Sequence, residues 1–281
     1  MNYKIIGITG HTGVLGKALI EKFKKNKIFK IYKFFGDIRK KKDVELWLKN
    51  KKFDAIFHLA AIVPTSKVEK FYSDALKVNY EGTKILVDEI LKRNSTDWFF
   101  FSSTSHVYSF SNKKIKEDSK LQPISKYGAT KLKAEKYIKK RLLQIKFCIG
   151  RIFSFTHHTQ NDLFFVPSLY KKFISQNKIE LININHERDF LILSDIVTAI
   201  RILYKNKSTG IFNIASGNAT SLIKIPIFFS KVFKKIFFVK KNNKKKTRHV
   251  GNIKKLLKLG WKAKKNINDI LKSFLRENQK I

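Results

Sequence analysis

The chain has 281 residues, 43% of them hydrophobic, which excludes a disordered polymer and is enough for one large domain or two interleaved ones. Sixty Lys and Arg against 21 Asp and Glu give a net charge of +39. The basic residues are spread along the chain, and Lys, Ile, Asn and Phe, all with AT-rich codons, are abundant together. The charge therefore reads as compositional drift and not as a specific nucleic-acid surface, although a positive field would steer a diphosphate substrate. The one cysteine, Cys148, excludes an intrachain disulfide and fits a reducing compartment. The first apolar run is too short for a signal-peptide core, and no stretch approaches the roughly 18 apolar residues of a spanning helix. A cytoplasmic protein with no membrane insertion is expected.

Taken in chain order, residues 4–9 read as a buried strand and 14–25 as a helix opened by a glycine loop. Residues 28–35 read as a second strand, closed by Gly36-Asp37, 43–51 as a helix and 53–59 as a third strand. A helix is predicted over 73–93, a central strand at Trp98-Phe99-Phe100-Phe101, a long helix over 124–142 and a strand at 145–152. This alternation predicts an α/β fold, a Rossmann-type doubly wound parallel sheet with helices on both faces. The second half is less regular. A helix is expected at 164–175, short strands at 188–192 and 210–214 flank a helix at 194–204, and 221–235 reads as helical. Lysine-rich residues 240–248 read as a solvated loop. There is no internal repeat and no Pro/Gly/Ser linker; the chain has 4 Pro and 12 Gly. Residues 1–152 read as a dinucleotide-binding domain to which 188–217 return. Residues 153–187 and 218–281 read as a smaller α+β region for substrate.

Three side chains carry the chemistry. Tyr127 and Lys131 are spaced i, i+4, which puts a phenol and an ammonium on one helix face. An ammonium beside a phenol favours the phenolate, so the tyrosine is expected to exchange protons nearer neutral pH. Thr104, at a strand end, can hold the same substrate oxygen. Upstream, Gly10, Thr12, Gly13, Val14, Leu15 and Gly16 follow a strand and open a helix, the context in which backbone N–H groups meet a pyrophosphate. The acid normally found at the end of the second strand is missing, with Lys33, Phe34 and Phe35 in its place. NAD and NADP therefore both remain open, and Lys33 or Arg39 could meet a 2′-phosphate. His157-His158 has no Cys or carboxylate cluster at ligand spacing, so no metal is expected. His106 reads as a loop residue, and the lysines of 231–246 with Phe233, Phe237 and Phe238 as an amphipathic helix and a strand.

The motifs occur in a fixed order. The glycine loop is followed by Gly36-Asp37-Ile38-Arg39, His58-Leu59-Ala60-Ala61, Val78-Asn79-Tyr80-Glu81-Gly82-Thr83 and Ser102-Ser103-Thr104 with Val107-Tyr108. Then come Tyr127-Gly128-Ala129-Thr130-Lys131, Arg188-Asp189-Phe190, Phe212-Asn213-Ile214-Ala215-Ser216-Gly217 and Leu259-Gly260-Trp261. The set resembles the extended short-chain dehydrogenase/reductases, specifically the NAD-dependent epimerase/dehydratase family that acts on nucleotide sugars, over nearly the whole chain. The resemblance implies that Tyr127 is the acid/base and that Lys131 is its partner and holds the nicotinamide ribose. It makes Thr104 the Ser/Thr that holds the reacting oxygen, and gives Asp37 and Ile38 to the adenine. Leu59, Ala60 and Ala61 would lie along the cofactor, Asn79 would be structural, and Arg188 would meet the sugar nucleotide's phosphates. A surface ion pair from Arg188 to Asp189 is the plainer alternative.

Two departures shape the expected activity. Dehydratases of the family carry Asp-Glu after the Thr; here Ser105-His106 stand there, which argues against water elimination. Ser154 takes the place of a substrate-contacting Asn in Arg151-Ile152-Phe153-Ser154. The resemblance thus implies a nucleotide-sugar oxidoreductase, with 4-keto reduction of an NDP-4-keto-6-deoxy sugar for surface polysaccharide synthesis favoured over a 4-epimerase with tightly held NAD. A non-catalytic cofactor sensor or nucleic-acid-binding relative is the remaining alternative, disfavoured by the intact Thr104, Tyr127 and Lys131. A homodimer is expected.

Overall fold

The computed structural model describes residues 3–240 and 245–279. The first half runs β1 (Lys4–Thr9), α1 (Val14–Lys24), β2 (Phe29–Lys33), α2 (Lys41–Leu48), β3 (Ala55–His58), α3 (Thr65–Lys70) and α4 (Tyr72–Leu76). A π turn (Lys77–Glu81) then leads into α5 (Gly82–Arg93), β4 (Trp98–Thr104), α6 (Lys126–Arg141) and β5 (Lys146–Ile152). The second half has β6 (Ser154–Thr156), α7 (Phe165–Ser175), β7 (Ile179–Leu181), β8 (Glu187–Arg188), β9 (Phe190–Ile192), α8 (Leu193–Lys205) and β10 (Gly210–Ile214). It ends with β11 (Thr220–Ser221), α9 (Lys224–Phe233), β12 (Phe237–Val239), β13 (Arg248–His249), α10 (Lys254–Lys258) and α11 (Ile267–Asn278).

Six strands form one parallel sheet in the order β10-β5-β4-β3-β1-β2. The chain leaves β1 for β2 on one side and then returns to build β3, β4 and β5 on the other. The order therefore reverses beside β1, and a crevice opens at the carboxyl ends of the strands there. Side chains on a strand alternate between faces, and β4 shows both halves of that rule. Trp98 and Phe100 join the cluster under α1 and α8, while Phe99 and Phe101 join the one under α2, α5 and α6. Both faces of β4 are covered, which is why it is apolar without alternation. A third cluster, centred on Phe173, Phe229 and Phe274, joins α7, α9 and α11.

Several boundaries differ from the sequence reading. The second strand stops at Lys33 instead of 35, because Phe34 turns inward against Trp47 while Phe35 faces solvent. The helix predicted over 73–93 contains the π turn, which swings Asn79 into the core. The strand expected at 188–192 is two strands in different small sheets, interrupted by the fully buried Asp189. The lysine-rich loop lies partly outside the described residues, and Arg248 belongs to β13.

Candidate active site

The strand ends and the second half enclose a cleft of about 880 Å³, at the upper end of the range for ligand pockets. Its floor begins with the glycine loop. Gly10 has φ +68°, and a Cβ there would lie 2.5 Å from the backbone nitrogen of Ala60. Only glycine lets the loop after β1 touch the end of β3. Gly13 caps α1 with no side-chain partner, and no acid sits in the first turn. The helix N-terminus therefore presents bare N–H groups and positive potential to the cleft, the arrangement that binds a pyrophosphate. Thr12, Val14, Leu15 and Gly16 complete this part of the lining.

Leu59, Ala60 and Ala61 form the adjoining wall, and a buried polar network fixes them. Thr83 Oγ1 donates to the carbonyl of Asn79, so at 2.9 Å it accepts from His58 Nε2–H. His58 Nδ1 is left bare and accepts from Thr9 Oγ1 at 2.7 Å, and Thr9 Oγ1 accepts in turn from the N–H groups of Leu59 and Ala60. Burial holds His58 neutral, its pKa pushed down to about 3. Asn79 accepts from the Ile62 N–H, and its amide donates to the Ile62 carbonyl and to Thr130 Oγ1. One side chain thus ties this wall to α6, in keeping with its expected structural role.

Thr104 ends β4 and Tyr127 starts α6, and both line the cleft. Ser125 caps α6 by accepting from the Gly128 N–H at 3.0 Å. A Cβ on Gly128 would come within 2.2 Å of the His106 carbonyl oxygen, so the helix can approach the turn after Thr104 only with glycine there. This contact brings the start of α6 up to the turn after Thr104. Lys131 lies behind the cleft wall, 1% exposed, with its ammonium 4.0 Å from the centre of the Phe101 ring. Burial lowers its pKa to about 7 and Glu135 pulls it back up. Tyr127 is pushed up by burial alone, so the depression expected from Lys131 does not act on it in this geometry. A lysine whose charged form burial disfavours is a weak source of positive potential for a neighbouring phenol.

Behind these groups Glu135 and Arg151, each 1% exposed, form an ion pair at 2.6 Å. Ser103 donates to Glu135, while Arg151 donates to the Tyr108 hydroxyl, which donates on to Asn213 Oδ1. The motif residues Arg151, Tyr108 and Asn213 therefore serve the scaffold.

The opposite wall comes from the second half, with Ser154, Phe153, Gln160, Phe164, Arg188 and Leu222 among its residues. Arg188 donates to the Glu187 and Thr247 carbonyls and to Thr247 Oγ1. It makes no ion pair among the described residues, and burial lowers its pKa to about 10. Asp189 is not its surface partner. The Asp189 carboxylate accepts from Ser216 N–H and Oγ–H and from the Gly217 and Gly251 N–H groups, stapling three segments together.

The structure thus brings Thr104, Tyr127, Ser154 and Arg188 together with the glycine loop and Leu59–Ala61. Asp37 and Ile38 lie outside the cleft lining. Arg39 chelates the Asp37 carboxylate, and Ile38 is buried beneath Gly82. The sequence reading missed His106, which is on the cleft wall rather than in a free loop. Its Nδ1 pairs with Ser125 Oγ at 3.0 Å, and its ring stands edge-on to Tyr127. Its place two residues after Thr104 and its apolar neighbours were the available signal. No group of three or more metal-ligating side chains occurs among the described residues, and none of their helices is long and apolar enough to cross a membrane.

The NAD dependent epimerase/dehydratase family model matches residues 6–215. The chain is 30% identical over 250 residues to the uncharacterized UDP-glucose epimerase YtcB of Bacillus subtilis, covering 78% of each chain. It is 25% identical over 176 residues to the GDP-6-deoxy-D-mannose reductase of Pseudomonas aeruginosa, covering 58% of each. The structure of RMD from Pseudomonas aeruginosa complexed with NADPH superimposes with a TM-score of 0.89 at 20% identity, over 99% of this chain and 100% of that one. The chain belongs to the NAD-dependent epimerase/dehydratase family of nucleotide-sugar enzymes.

Proposed function

We propose that the protein reduces the 4-keto group of a nucleotide-activated 6-deoxy sugar, with NADH or NADPH bound afresh in each cycle. The observation that carries the reductase reading is the end of β2. No carboxylate stands there to grip the adenosine ribose, and Phe35 faces solvent instead. A cofactor held without that contact leaves more readily than one kept through two half-reactions.

The residues present fit the cofactor: an uncapped helix N-terminus for the pyrophosphate and an apolar wall at Leu59–Ala61. The nicotinamide, when bound, supplies the hydride. Thr104 Oγ1, which accepts from the His106 N–H at 3.2 Å, keeps its own proton free to donate to the keto oxygen. Tyr127 delivers the proton that makes this oxygen a hydroxyl; Lys131, assigned to the nicotinamide ribose, is buried behind the cleft wall one helical turn along α6, so that contact requires the wall to open when the cofactor binds. Ser154 and Arg188 face the sugar nucleotide, with the guanidinium on its diphosphate. Residues 153–187 and 218–281 are assigned the sugar-holding role, and the protein is taken as a homodimer.

Tyr127→Phe tests the chemistry. Turnover should fall by about 10²–10⁴-fold, while NADH binding, followed by its fluorescence, stays near wild type. Wild-type turnover in the mutant would end the mechanism. The second reading is a 4-epimerase with retained NAD, supported by the 30% identity to YtcB.

A further inference from the structure

The second half carries a small ribbon outside the main sheet, β7 paired in parallel with β12. Helix α9 is capped by Lys234, whose left-handed conformation (φ +51°) turns the chain into β12. Phe237 lies opposite Ile179, and Phe238 opposite Glu180. Alternation along the two strands fixes their faces. Ile179, Leu181 and Phe237 pack into the cluster with α7 and α9, so Phe238, Glu180 and the flanking Ile236 and Ile182 point outward. Three large apolar side chains therefore stand in solvent on one face: Ile236 is 74% exposed, Ile182 59% and Phe238 55%. Single exposed residues of this kind are ordinary, but a group on one face marks a contact surface.

The charge around this face is basic. Lys178 and Lys240 both pair with Glu180, at 3.4 and 2.6 Å. Lys231 and Lys234 are exposed at the end of α9. The sequence holds eight lysines over residues 231–246, and no Asp or Glu between Lys224 and Asp269. Aliphatic side chains such as Ile182 and Ile236 neither stack on bases nor pair with phosphates. Exposed aliphatic surface bordered by lysines matches a partner that offers hydrocarbon and anionic headgroups together.

We propose that the outer face of the β7–β12 ribbon seats the protein on an anionic lipid bilayer, with Ile182, Ile236 and Phe238 entering the headgroup boundary and the neighbouring lysines facing lipid phosphates. The inference does not rest on which cofactor or sugar the cleft takes.

Cosedimentation of the full chain with lipid vesicles at about 0.15 M salt, where long-range attraction is screened, tests it. Each lysine near an anionic surface is worth roughly 5-fold in affinity, so vesicles of phosphatidylcholine with about 30% phosphatidylglycerol should bind at least about 20-fold more tightly than phosphatidylcholine alone. Ile236→Ser/Phe238→Ser keeps every charge and removes two apolar anchors, and it should weaken binding to the anionic vesicles by about 10-fold or more. Both positions are exposed, so its thermal melt should match wild type. Phe238→Trp should add fluorescence that shifts to the blue on vesicle binding, as an indole does on leaving water. Equal binding of wild type and the serine pair would reduce the contact to net charge and overturn the proposal. Unshifted emission from Phe238→Trp would overturn it as well. A serine pair that lowers the oligomeric mass while leaving vesicle binding intact would overturn it in favour of a second copy of this chain on the ribbon.

Discussion

On the cofactor side of the cleft, Thr9, His58, Thr83 and Asn79 close a chain of hydrogen bonds around the ends of β1 and β3. On the opposite wall, proposed above to hold the sugar, short strands from distant parts of the sequence meet around the one carboxylate of Asp189. The first wall is built from neighbouring strands of one sheet, so its geometry follows once the sheet forms. The second depends on a few contacts between segments about 30 and 60 residues apart, and it is where a family varies its substrate without disturbing its chemistry.

Three substitutions separate the two walls, taken in order of decreasing effect. Glu135→Ala leaves the Arg151 guanidinium buried and unpaired beneath β4, and removing one partner of a buried pair costs about 3–5 kcal/mol. Chemical denaturation should show that loss; a change below about 1 kcal/mol would mean the pair is not the scaffold of the catalytic wall. Asp189→Ala orphans the donors of Ser216, Gly217 and Gly251, with an expected cost of about 2 kcal/mol. Its sharper signature is selective, because the Michaelis constant for the sugar nucleotide should rise while NADH affinity stays unchanged. Equal damage to both would erase the distinction between the walls. Arg188→Ala should raise the same constant by about 10-fold with little change in turnover, as loss of uniform binding does. An unchanged constant would return Arg188 to holding the Thr247 carbonyl.

The same contrast governs what the sequence made legible. The apolar runs at 4–9, 98–101 and 145–152 are strands buried on both faces, and such runs announce themselves locally. The glycine loop is legible for the same reason, since it joins one strand to the helix that follows it. What failed was non-local. Asp189 resembles a surface partner of its neighbour until Ser216 and Gly251 arrive from elsewhere to bury it. His106 looks like a loop residue until α6 packs against its carbonyl through Gly128. Helix α11 had a local signal that was passed over, because Asn266 and Asp269 form a capping box. The perturbed proton affinities of Tyr127 and Lys131 were the hardest to foresee, since burial, and not their spacing, sets both.

A reductase exchanges its cofactor with every sugar it reduces. The most direct measurement follows absorbance of NADH or NADPH while the purified protein acts on a 4-keto-6-deoxy sugar nucleotide. The protein should purify largely free of cofactor and oxidise one reduced nicotinamide per sugar reduced. Protein that retains NAD through purification and interconverts two C4 epimers with none added would contradict it.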